Sequence, residues 1–360
     1  MLRLSLLPGL GPRTLASLLS SFGSAAAVLS ASSEHLSSVA GVGPTLIRKI
    51  QSADHHVDEQ RVLDWCAANA CDVMTDEDEC YPRLLRELDD APPIVYKRGD
   101  FESVDELAVA IVGTRHATSY GTRQTERLVY GLAKAGVTII SGLARGIDAV
   151  AHESALSAGG RTIAVLGGGL GQLYPPEHEG LAEAIAADGV VMSEYPPEAK
   201  PRGGMFPQRN RIIAGLSLAT LVIEAPDRSG ALITARHAGE LGRDVLSLPG
   251  PVTSRASRGT NRLIRDGATL IQSVDDVLEA LGPLSSSVKT DDGHEVRSPA
   301  ELTLNEQERT VLDAIESSGS LIDHVIANTD LAAHQVLATI SVLEMRRLIR
   351  RLGGQYVARI

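Results

Sequence analysis

Between residues 107 and 273 the chain alternates short β-branched runs with stretches long enough for one helix each, and this rhythm limits the possible folds more than any other feature. The runs are LAVAIVG (107–113), VTIIS (137–141), RTIAVLG (161–167), GVVMSEY (189–195), ATLVIEA (219–225) and RDVLSLPG (243–250), with a shorter ATLIQS at 268–273. Apolar runs of this length, punctuated by glycine and proline, read as strands buried on both faces. Segments such as GTRQTERLVYGLAKAG (121–136) supply the helices. Strand, helix, strand predicts an α/β domain, an extended Rossmann-like parallel sheet, over residues 81–282. Right-handed crossovers then gather the carboxyl ends of the strands at one edge, where such sheets hold ligands.

The flanks read differently. Residues 1–80 are expected to be helical. PGLGPRTLASLLSSFGS carries Leu15, Leu18, Leu19 and Phe22 at helical spacing, and VAGVGPTLIRKI repeats the Gly-x-Gly-Pro turn before Leu46, Ile47 and Ile50. Two such units resemble tandem helix-hairpin-helix or sterile-alpha-motif-like modules. Their glycines either present N–H groups to a phosphate or simply start helices with proline at the first position. Residues 283–300 are polar without an apolar period and read as a linker. Residues 301–360 predict three helices and a hairpin turned at Gly353-Gly354, a winged helix, with Val311, Leu312 and Ile315 on the core side of its first helix. Its third helix has His334 and Gln335 early and Arg346 and Arg347 only at the end, where cations suit the helix dipole. Protein contact is favoured over DNA reading for this unit.

A length of 360 residues exceeds one hydrophobic core, in keeping with several domains. The net charge of -11 excludes a protein that is basic throughout, but not a local basic field. From 197 to 265 there are eleven lysines and arginines against five acids, an excess of six, as phosphate neutralisation would leave. Aromatic content of 3% argues against a surface that stacks many bases. Cys66, Cys71 and Cys80 have no CxxC spacing and no histidine pair nearby, so neither a disulfide framework nor a zinc site is expected. Reduced thiols, a start that makes a poor signal peptide, and no spanning-length apolar run predict a cytoplasmic protein without membrane association.

Three strands run into glycine loops: Gly113-Thr114-Arg115, Ser141-Gly142-Leu143-Ala144-Arg145-Gly146 and Gly167-Gly168-Gly169-Leu170-Gly171. Such loops let an anion approach the backbone at a helix start, and Arg115 and Arg145 add bidentate donors. The stretch FPQRNRIIAG (206–215) adds Phe206, Arg209, Asn210 and Arg211. If Pro207 opens the helix, Arg209 and Arg211 point about 200° apart. One is then expected to face the ligand and the other to pair with a carboxylate, for instance Glu224. Phe206 either stacks on a base or packs as a staple.

Enzyme motifs are missing. GTRHAT follows the first strand where a dinucleotide fold needs GxGxxG, and no Walker, HExxH or GxSxG sequence occurs, so no cofactor is expected. His152, in GIDAVAH, reads as a packed or capping histidine. Glu194 and Glu224 end strands at the crevice: they either hold the arginines of 206–215 or are the candidate acids for a rival reading as a nucleotide phosphoribohydrolase. The PGGxGTxxE signature of those enzymes is absent. A third reading is an adaptor whose winged helix docks a partner.

The segments IVGTRHATSYG, IISGLARGIDAVAH, TIAVLGGGLGQLYPPE, SEYPP, FPQRNRIIAGLS, VIEAPDRSGALITARHAGELGRDVLSLPG and SRGTNRLIRDGA, in this order from about 94 to 273, resemble the DprA/Smf family of bacterial natural transformation. The resemblance implies no catalysis. It implies a basic pocket for single-stranded DNA, dimerisation through the Rossmann-like domain, and loading of RecA recombinase onto incoming DNA, also where single-strand-binding protein coats it. Carried over by position, the pocket holds Gly113, Thr114, Arg115, Ser141, Gly142, Arg145, Phe206, Arg209, Asn210 and Arg211. Many members have a lysine where this chain has Gly203; Lys200 or Arg202 is expected to substitute. Two further departures are Gly171, where the family pattern GxGxD has an acid, and His178, where relatives often have asparagine.

Overall fold

The computed structural model describes all residues except 54–56, 283–287, 290–294, 297, 347 and 354. The chain forms two compact units, Met1–Leu270 and Ile271–Ile360.

In the first unit the expected strands are β3 (Ala108–Val112), β4 (Thr138–Ser141), β5 (Thr162–Val165), β6 (Val190–Ser193), β7 (Ala219–Val222), β8 (Asp244–Ser247) and β9 (Thr269–Leu270). Every residue of β3 to β7 is buried, which is why their sequences are nearly continuous apolar runs, broken only by Ser and Thr, instead of alternating. Two strands lie upstream of the first expected run: β1 (Asp72–Thr75) pairs antiparallel with β2 (Ile94–Arg98), and β2 pairs antiparallel with β6. The expectation that residues up to 80 are helical is therefore corrected, because Met74 is buried in the sheet core. The resulting nine-stranded sheet is mainly parallel, in the order β1-β2-β6-β5-β4-β3-β7-β8-β9. Chain order runs outward from β3 to β6 and then returns to β7 at the other side of β3. The switch point is the gap between the carboxyl ends of β3 and β7.

The helical N-terminus repeats its turn in structure as in sequence. Gly9 and Gly41 take left-handed φ of 93° and 85°, and Gly11 and Gly43 cap helices Pro12–Phe22 and Pro44–Gln51, each with proline at its start. Leu15, Leu18, Leu46, Ile47 and Ile50 are buried together.

In the second unit, helices Glu306–Asp313, Ile322–Asn328 and Ala333–Met345 pack on a three-stranded sheet of β12 (Ser320–Leu321), β14 (Tyr356–Arg359) and β13 (Ile349–Gly353). Val311, Leu312 and Ile315 lie in its core. This is the winged helix. Arg347 and Gly354 lie outside the described residues, as does most of the expected linker. Within that linker, however, β10 (Val288–Lys289) pairs with β11 (Glu295–Val296). Helix Val274–Ala280 falls in this compact unit and packs with the turn Pro299–Thr303. Among the described residues no helix is long and apolar enough to cross a membrane.

Candidate nucleic-acid interface

A crevice of about 470 Å³ opens at the switch point. Its walls are Gly113, Thr114, Arg115 and His116 after β3, Ala144 and Asp148 after β4, Ser229, Gly230 and Thr234 after β7, and Gly203, Phe206, Arg209 and Asn210 around the helix leading into β7. That helix runs Met205–Gly215, so it starts two residues before Pro207. Proline is tolerated there because first-turn N–H groups have no intrahelical acceptor.

Arg115 is exposed at the mouth, and its guanidinium lies 5.2 Å from the Phe206 ring centroid. No ion pair holds it among the described residues. Phe206 is half-buried; one side packs on the third glycine loop, where a Cβ on Gly167 would come within 2.7 Å of its ring. Tyr174 follows at 5.9 Å from Phe206, and Arg145 stacks on Tyr174 at 5.7 Å. Arg115, Phe206, Tyr174 and Arg145 thus form a ladder of cations and rings along the rim. Arg145 also bonds Glu177 at 2.5 Å, which raises its pKa, but both side chains are about half exposed and such pairs exchange readily.

The two arginines of the helix part as expected, and of the two candidate carboxylates Glu194 is the one that pairs. Arg211 is buried and bidentate on Glu194, with Nη1 at 3.0 Å from Oε1 and Nη2 at 2.9 Å from Oε2, while Nε reaches Asp90 at 3.1 Å. Burial alone would lower its pKa, but Glu194 and Asp90 hold it above the ordinary value. Glu224 does not take part. It is buried and accepts the Thr118 N–H at 2.9 Å and the Thr118 hydroxyl at 2.6 Å, holding the residue whose hydroxyl oxygen caps helix Ser119–Lys134 by accepting the Gly121 N–H. Both carboxylates offered as catalytic acids are therefore fully engaged in structural bonds.

Arg209 forms the floor. Its Nη1 donates to the Gly142 carbonyl at 2.8 Å and to the Val165 carbonyl. Burial pushes its pKa down to about 10, with the nearby Asp148 opposing. Asp148 in turn is raised by burial, and the Ala144 N–H points at its Oδ2 from 3.4 Å. An internal carboxylate thus already occupies part of the second glycine loop. The third loop is not an open cradle either: Gly167 backs Phe206, and Gly168 lies against Pro201.

The twelve expected site residues divide accordingly. Gly113, Thr114, Arg115, Phe206, Arg209 and Asn210 line the crevice. Ser141 is fully buried and donates to the Ile111 carbonyl, Gly142 lies beneath Arg209, and Arg145 stands on the rim. Lys200 lines an adjoining groove, Arg202 is exposed outside the lining of both, and Arg211 is an internal ion-pair residue. The local charge excess shrinks too, since Arg243 pairs with Glu87, and Arg211 with Glu194 and Asp90, acids outside the counted stretch. His152 is buried as expected, with Nδ1 at 2.7 Å from the Thr162 hydroxyl. Tyr174 and Asp148 were missed. Tyr174 stood in the quoted LYPPE, and an aromatic beside a glycine loop in so aromatic-poor a chain was the available signal.

Residues 72–282 match the family described as DNA recombination-mediator protein A, residues 295–355 the DprA winged helix domain, and residues 1–53 a SAM-like helix-hairpin-helix tandem. Protein Smf of Synechocystis is 39% identical over 352 residues, covering 89% of this chain and 88% of its own. DNA processing protein DprA of Streptococcus pneumoniae is 44% identical over 201 residues, covering 56% of this chain and 71% of its own. The X-ray structure of the pneumococcal DprA superposes with a TM-score of 0.66 at 35% identity, over 77% of this chain and 94% of that one. A Helicobacter pylori DprA structure, described for its single-stranded DNA binding mode, gives 0.52 at 34% identity, over 57% and 93%. The family match over residues 72–282, the matching flanking domains and a relative aligned over most of both chains establish that the chain belongs to the DNA recombination-mediator protein A family.

Proposed function

We propose that this protein binds single-stranded DNA in the switch-point crevice and acts as a recombination mediator, protecting incoming transforming DNA and loading RecA onto it. The observation that carries the reading is the rim: an unpaired Arg115 stacked on a half-buried Phe206, above a floor made by Arg209. A guanidinium there meets a phosphate, and the ring offers a face to a base of any sequence. Phosphate contacts dominate, so sequence preference is weak. The family relationship supports the reading, as does the relative described as binding single strands. The protein works as a cytoplasmic homodimer through its Rossmann-like domain, beside single-strand-binding protein, and catalyses no reaction. Glu194 and Glu224, both engaged in structural bonds, argue against the hydrolase reading.

RecA filament assembly on a strand precoated with single-strand-binding protein tests the mediator role. Addition of the protein should shorten the lag, and Arg115→Ala should not. Equal lags with both would refute mediation through the crevice. Release of free base from nucleoside monophosphates by the parent protein would instead bring the hydrolase reading forward.

A further inference from the structure

A second groove, of about 650 Å³, lies beside the crevice and carries chemistry that the crevice does not use. Trp65, the only tryptophan of the chain, lines it together with Arg98, Tyr174 and Lys200. The Arg98 guanidinium sits 6.0 Å from the Trp65 ring centroid. Its Nε is buried without a hydrogen-bond partner, and neither Arg98 nor Lys200 has an ion pair among the described residues. Trp65 keeps its position because residue 171 has no side chain: a Cβ there would come within 2.7 Å of the indole Cζ2.

The groove is continuous with the crevice. Tyr174 lines the groove, is 42% exposed, and packs on Phe206 of the crevice. Lys200 and Pro201 line the groove, and Gly203, three residues after Lys200, lines the crevice. A chain with 3% aromatics therefore sets three rings, and three cations that have no ion pair among the described residues, along one path from Arg115 over Phe206 and Tyr174 to Trp65, Arg98 and Lys200. Glu179 and Glu183 line the same groove, so phosphates would keep to the Arg98 and Lys200 side.

We infer that this groove is a second subsite for the same single strand, taking a base against Trp65 and Tyr174 and phosphates against Arg98 and Lys200. The inference rests on the crevice holding single-stranded DNA. Stacked pairs of ring and cation accept any base, and a duplex, whose bases are already stacked, has none to offer.

Because Trp65 is the only tryptophan, its emission reports on the groove directly. The parent protein would be titrated with oligo-dT of about 4 and about 16 nucleotides, spanning the usual range of single-strand site sizes. Emission and anisotropy would be read together. The long oligomer should quench the tryptophan and the short one, held in the crevice, should not. Arg98→Ala should weaken the long oligomer by roughly 2- to 30-fold, the range for loss of one cation–π contact, and leave the short one unchanged. Gly171→Asp, which displaces the indole and adds an acid, should do the same. Binding by anisotropy at both lengths, with unaltered emission and an Arg98→Ala affinity equal to the parent's, would overturn the subsite and leave the crevice standing. No anisotropy change at either length would overturn both.

Discussion

Arg211 stands two residues from Arg209 in the stretch that sequence points to as a DNA pocket, yet its replacement should damage folding before binding. Arg211→Ala removes two Nη contacts to Glu194 and the Nε contact to Asp90. Glu194 has a side chain only 1% exposed and would be left as a buried carboxylate without its ion-pair partner. Breaking a buried pair from one side costs about 3–5 kcal/mol. In a domain of this size each kcal/mol moves the melting temperature by about 2–4 °C, so a loss of about 6–20 °C is expected. Replacing both partners, as in Arg211→Met with Glu194→Leu, should recover most of it, because no buried charge remains. Thermal unfolding by circular dichroism, paired with oligo-dT anisotropy well below the transition, separates the effects. A variant as stable as the parent that has lost DNA affinity would refute the structural assignment and put Arg211 on the ligand.

Three further outcomes follow from the same geometry. Arg115→Ala should weaken binding to all single strands alike and lower the slope of log K against log salt by about 0.7, the share of one phosphate contact on a single strand; an unchanged slope would remove Arg115 from the interface. In Gly142→Ala the new methyl would overlap the Arg209 guanidinium and push it off the Gly142 and Val165 carbonyls, so both melting temperature and DNA affinity should fall, and parent-like values would contradict the packed floor. His152 is pushed down to about 3 by burial, from an ordinary 6.5. The unfolded chain therefore binds the proton first, and the contribution of a neutral His152 is full above pH 6.5 and lost as pH falls toward 3. The slope is about 1.4 kcal/mol per pH unit, so urea unfolding at pH 7 and 5 should differ by about 2 kcal/mol more in the parent than in His152→Leu. Equal differences would show that the imidazole does not titrate with unfolding.

Much of the fold was legible because burial writes itself into composition. Strands β3 to β7 are covered on both faces, and AVAIV, TIIS and TIAV can be little else. The paired Gly-x-Gly-Pro turns were legible for a similar reason, since each needs one left-handed glycine and one proline at a helix start. β1 escaped notice because DVMT is four residues long and only Met74 is buried. IVYKR of β2, bounded by two prolines and a glycine, carries the strand signal more clearly. At the site, residue types were readable and partners were not. Spacing alone separated Arg209 from Arg211, but it could not decide between Glu194 and Glu224, because which carboxylate crosses to a helix depends on strand order. The third glycine loop misled in the opposite way. Its small residues suit an anion and suit close packing equally well, and here Phe206, Pro201 and Trp65 fill the space.

The most direct test of the central claim is fluorescence anisotropy of labelled oligo-dT over a series of salt concentrations, with duplex DNA as competitor. Binding should be tight at low salt, weaken linearly in log salt, and resist displacement by duplex, because the rim ladder needs unstacked bases. No binding at low salt, or ready displacement by duplex, would contradict a single-strand site at the switch point between β3 and β7.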